Sequence, residues 1–516
     1  MRFLAALLCS IPAVAEGILV AGNAASGSSD IAPGSMVAIS EVFAFSNVTS
    51  GDLDPLHAQI TLQSQISGLA FPVAILPSST SYALYGVVPA NAPMGAASVI
   101  LTQGGHDSSF PVDVVSTSPG LFPRYGPAVA QNLSSDAPPS TNGLGNPAVP
   151  GQRVTVWGTG LGSSKTGDVV VRIGSADVTP TFAGPSGSPG MDHIDFQLPA
   201  GVPVGCYVPV SIRSGAAVSN EVSIAVSLGP GPCQHPFGLS SAEMLTLDRG
   251  GSILLGSIRL SQSLAAPELL PLGFDTYEGA AVQFGSQNAL SIFSWAQPQG
   301  SAAPFGCQIP ETPVSYATFD GSTATGDAGA ALTLTGPGGS RLNLAKVGAI
   351  FLVPSAGGEY SGAPAPASAA APLFFGSGSW MVSGPGGTVV DAFQQTFALP
   401  QLRWLNRDAF AALRRDGDAT ILWDPHGFST SDVMTVRLSN TGYPDLSCQT
   451  HAFWGQLTLP KTLLEQVQPS TETVLSLTVA PHPARRILFR VPLTGGGTAP
   501  AVLDYSFSDT RLVNLQ

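Results

Sequence analysis

The sequence is short of charge. Only 10% of its 516 residues are Asp, Glu, Lys or Arg, against about a quarter in ordinary soluble proteins. Basic residues are the scarcer kind, 20 against 33 acidic ones, for a formal net charge of −13. No run of lysines or arginines offsets that deficit, which excludes a nucleic-acid partner, because phosphate must be met by a basic surface. Long apolar runs are also missing, so no transmembrane segment is expected. There are five cysteines, and none sits in a CxxC pair, which removes zinc-knuckle and thioredoxin-like readings. A G-x-S-x-G elbow is absent, and serine is too common for a Ser–His–Asp set to carry meaning. No cofactor signature is present, and composition leaves the oligomeric state open.

What the chain has in plenty is glycine (59) and proline (45). With abundant Ser, Thr, Ala and Val, that mixture suits many short strands joined by turns and disfavours helices. The start, "MRFLAALLCSIPAVAEG", reads as a signal peptide over residues 1–15, with Arg2 as the basic region and Phe3 to Ile11 as the apolar one. Cleavage is expected after Ala13-Val14-Ala15, because bulky Leu8 before Cys9 is wrong for a lipid-attachment site. The mature protein is therefore expected outside the cytoplasm: extracellular, at the cell surface or in the periplasm. Export leaves Cys206, Cys233, Cys307 and Cys448, which an oxidising compartment favours pairing. Cys206–Cys233 and Cys307–Cys448 is the expected pairing: the first staples the segment leaving the second sandwich back to it, and the second closes a loop within the C-terminal region.

An internal repeat organises the first half. "APGSMVAIS" (32–40) matches "VPGQRVTVW" (149–157), and "VPANAPMGAASVIL" (88–101) matches "LPAGVPVGCYVPVSI" (198–212). Short strands at this spacing, with a turn signal between each, indicate two β-sandwiches. Inside the second copy, "VTVWGTGLGSSKTGDVVV" (154–171) raises the question of a phosphate loop. Such a loop needs a helix after its glycines, with amides aimed at the anion, and a glycine before the lysine. Here Ser164 precedes Lys165 and the β-branched run 169–171 follows, so the glycines are expected to serve a turn between strands.

"APGSMVAIS", "STSPGLF", "NPAVPGQRVTVWGTGLG", "VRIGSADVTPTFAG" and "LPAGVPVGCYVPVSIRSGAAVSN" together resemble a family of secreted acidobacterial proteins with paired IPT/TIG-like, immunoglobulin-like sandwiches. The resemblance covers about residues 17–228. The first copy departs from it, lacking the TGLG turn and carrying a longer insert, "NVTSGDLDPLHAQ". It implies a fold and an exported location, and no ligand.

The expected organisation is all-β: a first immunoglobulin-like domain at 16–118, a Pro/Ser/Gly-rich linker at 119–147, a second such domain at 148–228, a linker at 229–238, and a larger β-rich region with a few short helices at 239–516. That last region is read as dividing near residue 395. Ser240 with Glu243 makes a capping box for a short helix that Gly250 ends. "ALTLTGPGGSRLNL" and "WMVSGPGGTVVDAF" read as two hairpins of one make, and "RDAFAALRRDG" and "KTLLEQV" as short helices.

Two groups of side chains offer chemistry. Asp192, His193 and Asp195 in "MDHIDFQLP" have metal-ligand types, but strand alternation buries Ile194, Phe196 and Leu198 and turns His193, Asp195 and Gln197 to solvent, so no metal is assigned. "LWDPHGF" and "CQTHAFW" put Trp423, Asp424, His426, His451 and Trp454 in one region, with Trp404 nearby. Indoles beside a carboxylate suit stacking on a sugar's apolar face. The plainer account fills the core with Trp423 and Trp454 and makes Asp424–Gly427 a turn. No catalytic residue is assigned. The expected function is binding or adhesion without catalysis, to extracellular polysaccharide or a surface protein. The alternatives are a secreted glycan hydrolase using C-terminal carboxylates and a purely structural surface component.

Overall fold

The computed structural model describes residues 18–42, 53–80, 83–123, 127–272, 276–296, 306–308, 323–324, 326–346, 359–362, 373–440, 443–482 and 486–516. The signal-peptide reading at 1–15 and residues 47–52 of the long insert lie outside them. The chain divides into two compact units, Met1–Gln234 and His235–Gln516. Each is built mainly of strands.

The first unit holds two sandwiches. In the first, Ile18–Asn23, Met36–Val42 and Ala83–Val87 form one sheet; Gln59–Ser64, Gly95–Gln103 and His106–Val114 form the other. Ala70–Ile75 belongs to both, pairing Val73 with Ile60 and Ala74 with Val87. Ile39, Leu62, Leu84 and Val99 meet in the core between them. In the second sandwich, Arg153–Thr159 lies between Ala130–Leu133 and Asp192–Gln197, with Phe182–Pro185 outside the latter. The facing sheet is built on Gly205–Ser214, flanked by Val169–Ile173 and Val222–Val226. Val154, Val156, Ile194 and Phe196 pack onto Val171, Val210 and Ile212.

The glycine-rich stretch ends its strand at Thr159 and passes through a single 3-10 turn, Thr166–Asp168, into the strand Val169–Ile173. No helix faces an anion. Gly160 and Gly162 have φ of +90° and +56°. A Cβ on them would lie 1.9 Å from the Ser118 carbonyl oxygen and 2.1 Å from that of Ser116. The glycines thus serve close backbone approach as well as the turn: the segment leaving the first sandwich runs against them.

The stretch 119–147 reads from sequence as a linker, but its described residues, 119–123 and 127–147, are instead part of the second sandwich. Gly120–Leu121 and Ala130–Leu133 pair with Arg153–Thr159, and Ser140–Thr141 pairs with Ala130–Leu133. Asparagines hold this stretch where apolar periodicity is missing. Asn142 exchanges two hydrogen bonds with the Ala225 backbone, at 2.9 and 2.8 Å, and donates to Asn132 Oδ1 at 2.9 Å.

In the second unit a large sheet curls around one hydrophobic cluster. Its longest described strand, Thr498–Leu515, runs parallel to Ile253–Ala265 and antiparallel to Ser470–Pro481. The first and last strands of the unit therefore lie side by side, and a parallel pair of this kind requires the long crossover between them. The core draws Trp380, Val382, Trp423 and Val436 from both sides of residue 395, so no division falls there.

The capped helix forms at Ser241–Asp248, with Glu243 accepting from the Ser240 amide at 2.7 Å. The first Gly-Pro-Gly-Gly hairpin forms as read; the second is wider, Gly384 pairing with Phe393 across the loop 385–392. "KTLLEQV" contributes the short helix Lys461–Leu464. "RDAFAALRRDG" does not make the expected helix. A 3-10 turn at Arg407–Ala411 gives way to Ala412–Leu413, which pairs with Asn514–Leu515 at the end of the longest strand.

Candidate ligand-binding site

The tryptophans of the second unit divide between core and surface. Trp423 is 1% exposed and Trp404 7%, and they bridge each other on adjacent extended segments. The Trp423 indole donates to the Ala452 carbonyl at 2.6 Å, and that of Trp404 donates to Asn406 Oδ1 at 3.1 Å. Trp454 is 58% exposed, which corrects the expectation that it fills the core. The strand Tyr443–His451 ends in a 3-10 turn at Ala452–Trp454, closed by Gly455 in the left-handed region at φ +73°. That turn breaks the in–out alternation and directs Phe453 and Trp454 outward.

Three segments build the face on which Trp454 stands. Ala419–Leu422 pairs with Gln456–Leu459, setting Leu422 opposite Gln456 and Thr420 opposite Thr458. The Trp423 amide donates to the Gly455 carbonyl at 3.0 Å, which continues the register and brings Asp424 to the level of Trp454. On the other side, residues 403–405 are joined by Asp424 N–H to Arg403 and Leu405 N–H to Leu422, at 3.0 and 2.8 Å. Alternation buries Leu402, Trp404, Ile421, Trp423 and Leu457. It leaves Arg403, Leu405, Leu422 and Gln456 outside.

The outer face therefore has a row of Arg403, Asp424 and Trp454 beside a row of Leu405, Leu422 and Gln456. His426 reaches back to the Asp424 carboxylate with its ring nitrogen and, at 3.1 Å, with its amide. Arg403 Nη1 stands 3.7 Å from the other carboxylate oxygen. Those contacts, the His426 side chain first, hold the Asp424 carboxyl below the usual range. His426 and Gly427 form the expected turn, with Gly427 at φ +87°. The His451 ring lies 5.2 Å from Phe453 and 5.1 Å edge-on to Trp454. Three residues before His451, Cys448 is bridged to Cys307 on the paired strand Gly306–Gln308. The second bridge, Cys206–Cys233, closes in the first unit.

Asp424, His426, His451 and Trp454 thus share one region of surface, while Trp404 and Trp423 form its floor. Sequence reading missed Arg403, Leu405 and Phe453. The alternation in "LRWL" was the available signal for the first two.

The other candidate group is not gathered around a point. Asp192 accepts from the Leu161 amide at 2.9 Å, and burial raises its pKa. Asp195 accepts from Thr155 Oγ1 at 2.7 Å and pairs with Arg153 at 3.2 Å. His193 stacks on Phe182, ring centres 4.4 Å apart. Among the described residues no three His, Cys, Asp or Glu side chains are placed to hold a metal ion. Nor is any helix long and apolar enough to cross a membrane.

No protein-family model matches the chain, and no curated protein sequence matches it. Among solved structures, it is similar to the Bacteroides ovatus SGBP-B of a mixed-linkage glucan utilization locus, in complex with a heptasaccharide. That match has 11% identity and a TM-score of 0.13, covering 84% of this chain and 87% of the other. The Bacteroides uniformis SGBP-B from a complex xyloglucan utilization locus matches at 12% identity and a TM-score of 0.15, covering 64% and 82%. Domains 5–6 of the S-layer protein SbsC match at 14% identity and a TM-score of 0.21, covering 41% and 98%. Likeness at this level transfers no ligand to this chain.

Proposed function

We propose that the protein is an exported, non-catalytic binder of polysaccharide, and that the face around Trp454 is where its second unit holds sugar. The observation that carries this reading is an exposed indole fixed by a left-handed turn at the level of an ionised Asp424. A pyranose ring has an apolar C–H face and a rim of hydroxyls. Trp454 and Phe453 offer surface to the first, and Asp424, Arg403 and Gln456 offer acceptors and donors to the second. Asp424 does not have the protonation state of a glycosidase's general acid. The general acid of a glycosidase is kept protonated by a raised pKa, whereas His426 and Arg403 hold Asp424 ionised.

Two bridged cysteine pairs and the N-terminal signal pattern support export. In this proposal the paired sandwiches of the first unit are of the IPT/TIG type. The test is a glycan array read for binding, with reducing-end release followed in parallel. Binding without turnover, weakened about tenfold or more by Trp454→Ala, is the expected result. Turnover, or undiminished binding by that variant, would overturn the reading.

A further inference from the structure

We infer a second, independent saccharide-binding face on the second sandwich of the first unit, centred on Trp157. The inference rests on the polysaccharide reading for its ligand class and on separate residues for its site. Strand register supplies the first observation. Thr141, Gln131, Thr155, Asp195 and Phe182 stand opposite one another in turn across five adjacent strands. Two residues along, Trp157 stands opposite His193, and His193 opposite Gly184. Because Val154, Val156, Ile194 and Phe196 point into the core, both rows lie on the outer face. They are roughly 7 Å apart, two residues along a strand.

The second row is aromatic. Trp157 is half-buried, and its amide donates to the Val129 carbonyl at 3.0 Å. Gly184 leaves open the place opposite His193, and Phe182 leans across that gap to stack on the imidazole, its ring edge 3.4 Å from where a Gly184 Cβ would be. Phe182 keeps 38% of its surface exposed. Apart from Phe182 at its end the other row is polar, and its charge is matched within the sheet, since Asp195 is paired with Arg153 and accepts from Thr155. Beside Trp157 the face dips into a depression of about 270 Å³ lined by Val129, Gln131, Thr141 and Met191. That is close to the lower end of small-ligand clefts, roughly 300 Å³.

This arrangement selects a neutral, amphipathic ligand. A hydrophobic peptide would leave the exposed Thr141 and the half-buried Gln131 without partners, and an ionic ligand would meet a carboxylate already matched by its guanidinium. A pyranose laid on the Trp157 indole puts its apolar face on the ring and its hydroxyls towards Gln131 and Thr141.

The experiment uses the full chain with 15N-labelled indoles and four probes at millimolar concentration: cellohexaose, xylohexaose, mannohexaose and maltohexaose. Trp157→Phe assigns the indole resonance. At least one probe is expected to shift the Trp157 N–H, with Trp157→Ala and Gln131→Ala each weakening that probe about tenfold and Trp454→Ala leaving the shift in place. Should Trp157→Ala fail to fold, Gln131→Ala and the resonance itself still decide. No shift with any probe, or unchanged affinity in Gln131→Ala, overturns the inference. Loss of all binding in Trp454→Ala without a Trp157 shift overturns it and leaves the Trp454 reading standing. A Trp157 shift with binding indifferent to Trp454 supports it and overturns the other site.

Discussion

The Trp423 indole donates to the Ala452 carbonyl at 2.6 Å, and that bond ties the buried tryptophan to the turn that exposes Trp454. The two residues should therefore respond oppositely to mutation. Trp423→Ala removes a fully buried ring and the shorter of the two hydrogen bonds to the Ala452 carbonyl, the Gly455 amide keeping the other at 3.3 Å, so it should cost about 3–5 kcal/mol. Trp454→Ala removes a mostly exposed ring and should change stability by less than about 1 kcal/mol while weakening sugar binding. Urea midpoints for both variants check this. A large loss of stability in Trp454→Ala would show that the exposed ring supports the fold.

Gly160 and Gly167 lie in one loop but differ in what surrounds them. An alanine at Gly160 would need φ near +90° and would place Cβ 1.9 Å from the Ser118 oxygen. At Gly167 the space is open and no left-handed φ is required. Gly160→Ala should destabilise by more than the ~1–3 kcal/mol of a strained backbone alone, because the Ser118 segment must also shift. Gly167→Ala should be neutral or slightly stabilising. Equal melting temperatures for the two variants would refute the close-approach account.

These contrasts explain what could and could not be read from the chain. Alternation at 191–199 and the Ser240–Glu243 capping box depend on residues within a few positions of each other, and both stand in the structure as read. The strands in 119–147 depend on Asn142 meeting the Ala225 backbone, 83 residues away, and no local pattern announces that. At 407–413 a helical pattern was overridden because Leu413 finds a strand partner in Leu515. The grouping at 424–454 was legible, since Asp424, His426 and Trp454 do share one surface. Which indole faces outward was not, because one left-handed residue, Gly455, reverses the parity.

The two disulfides should differ in worth. Cys206–Cys233 spans 27 residues and Cys307–Cys448 spans 141. By loop-closure entropy the first contributes about 3–4 kcal/mol and the second about 5. Cys307 stands directly opposite Cys448 on the strand that leads to Ala452–Trp454. Replacing that pair by serine should therefore lower both stability and sugar affinity. Replacing Cys206 and Cys233 should lower stability alone. Denaturant titrations with and without reductant, together with oligosaccharide titrations, separate the cases. Unchanged stability on removing either pair would contradict the prediction.

His235 sets a pH dependence whose sign can be worked out. Its side chain is 5% exposed, and its Nδ1 accepts from the Phe237 amide at 3.0 Å, so the buried ring is neutral. Burial lowers its pKa from 6.5 to about 3, with the Glu243 carboxylate opposing weakly. Between those values the unfolded chain binds a proton at this site that the native chain does not. The stabilising contribution is therefore complete above the unfolded pKa and is lost as pH falls from about 6.5 towards 3, at up to about 1.4 kcal/mol per pH unit. Other groups titrate in the same range, and comparison with His235→Asn removes them, because Asn can still accept the Phe237 amide hydrogen bond but does not titrate. Between pH 7 and pH 4.5 the wild type should lose on the order of 2 kcal/mol more than the variant. Urea unfolding at several pH values measures that difference, and parallel stability curves would mean that His235 is protonated in the folded state.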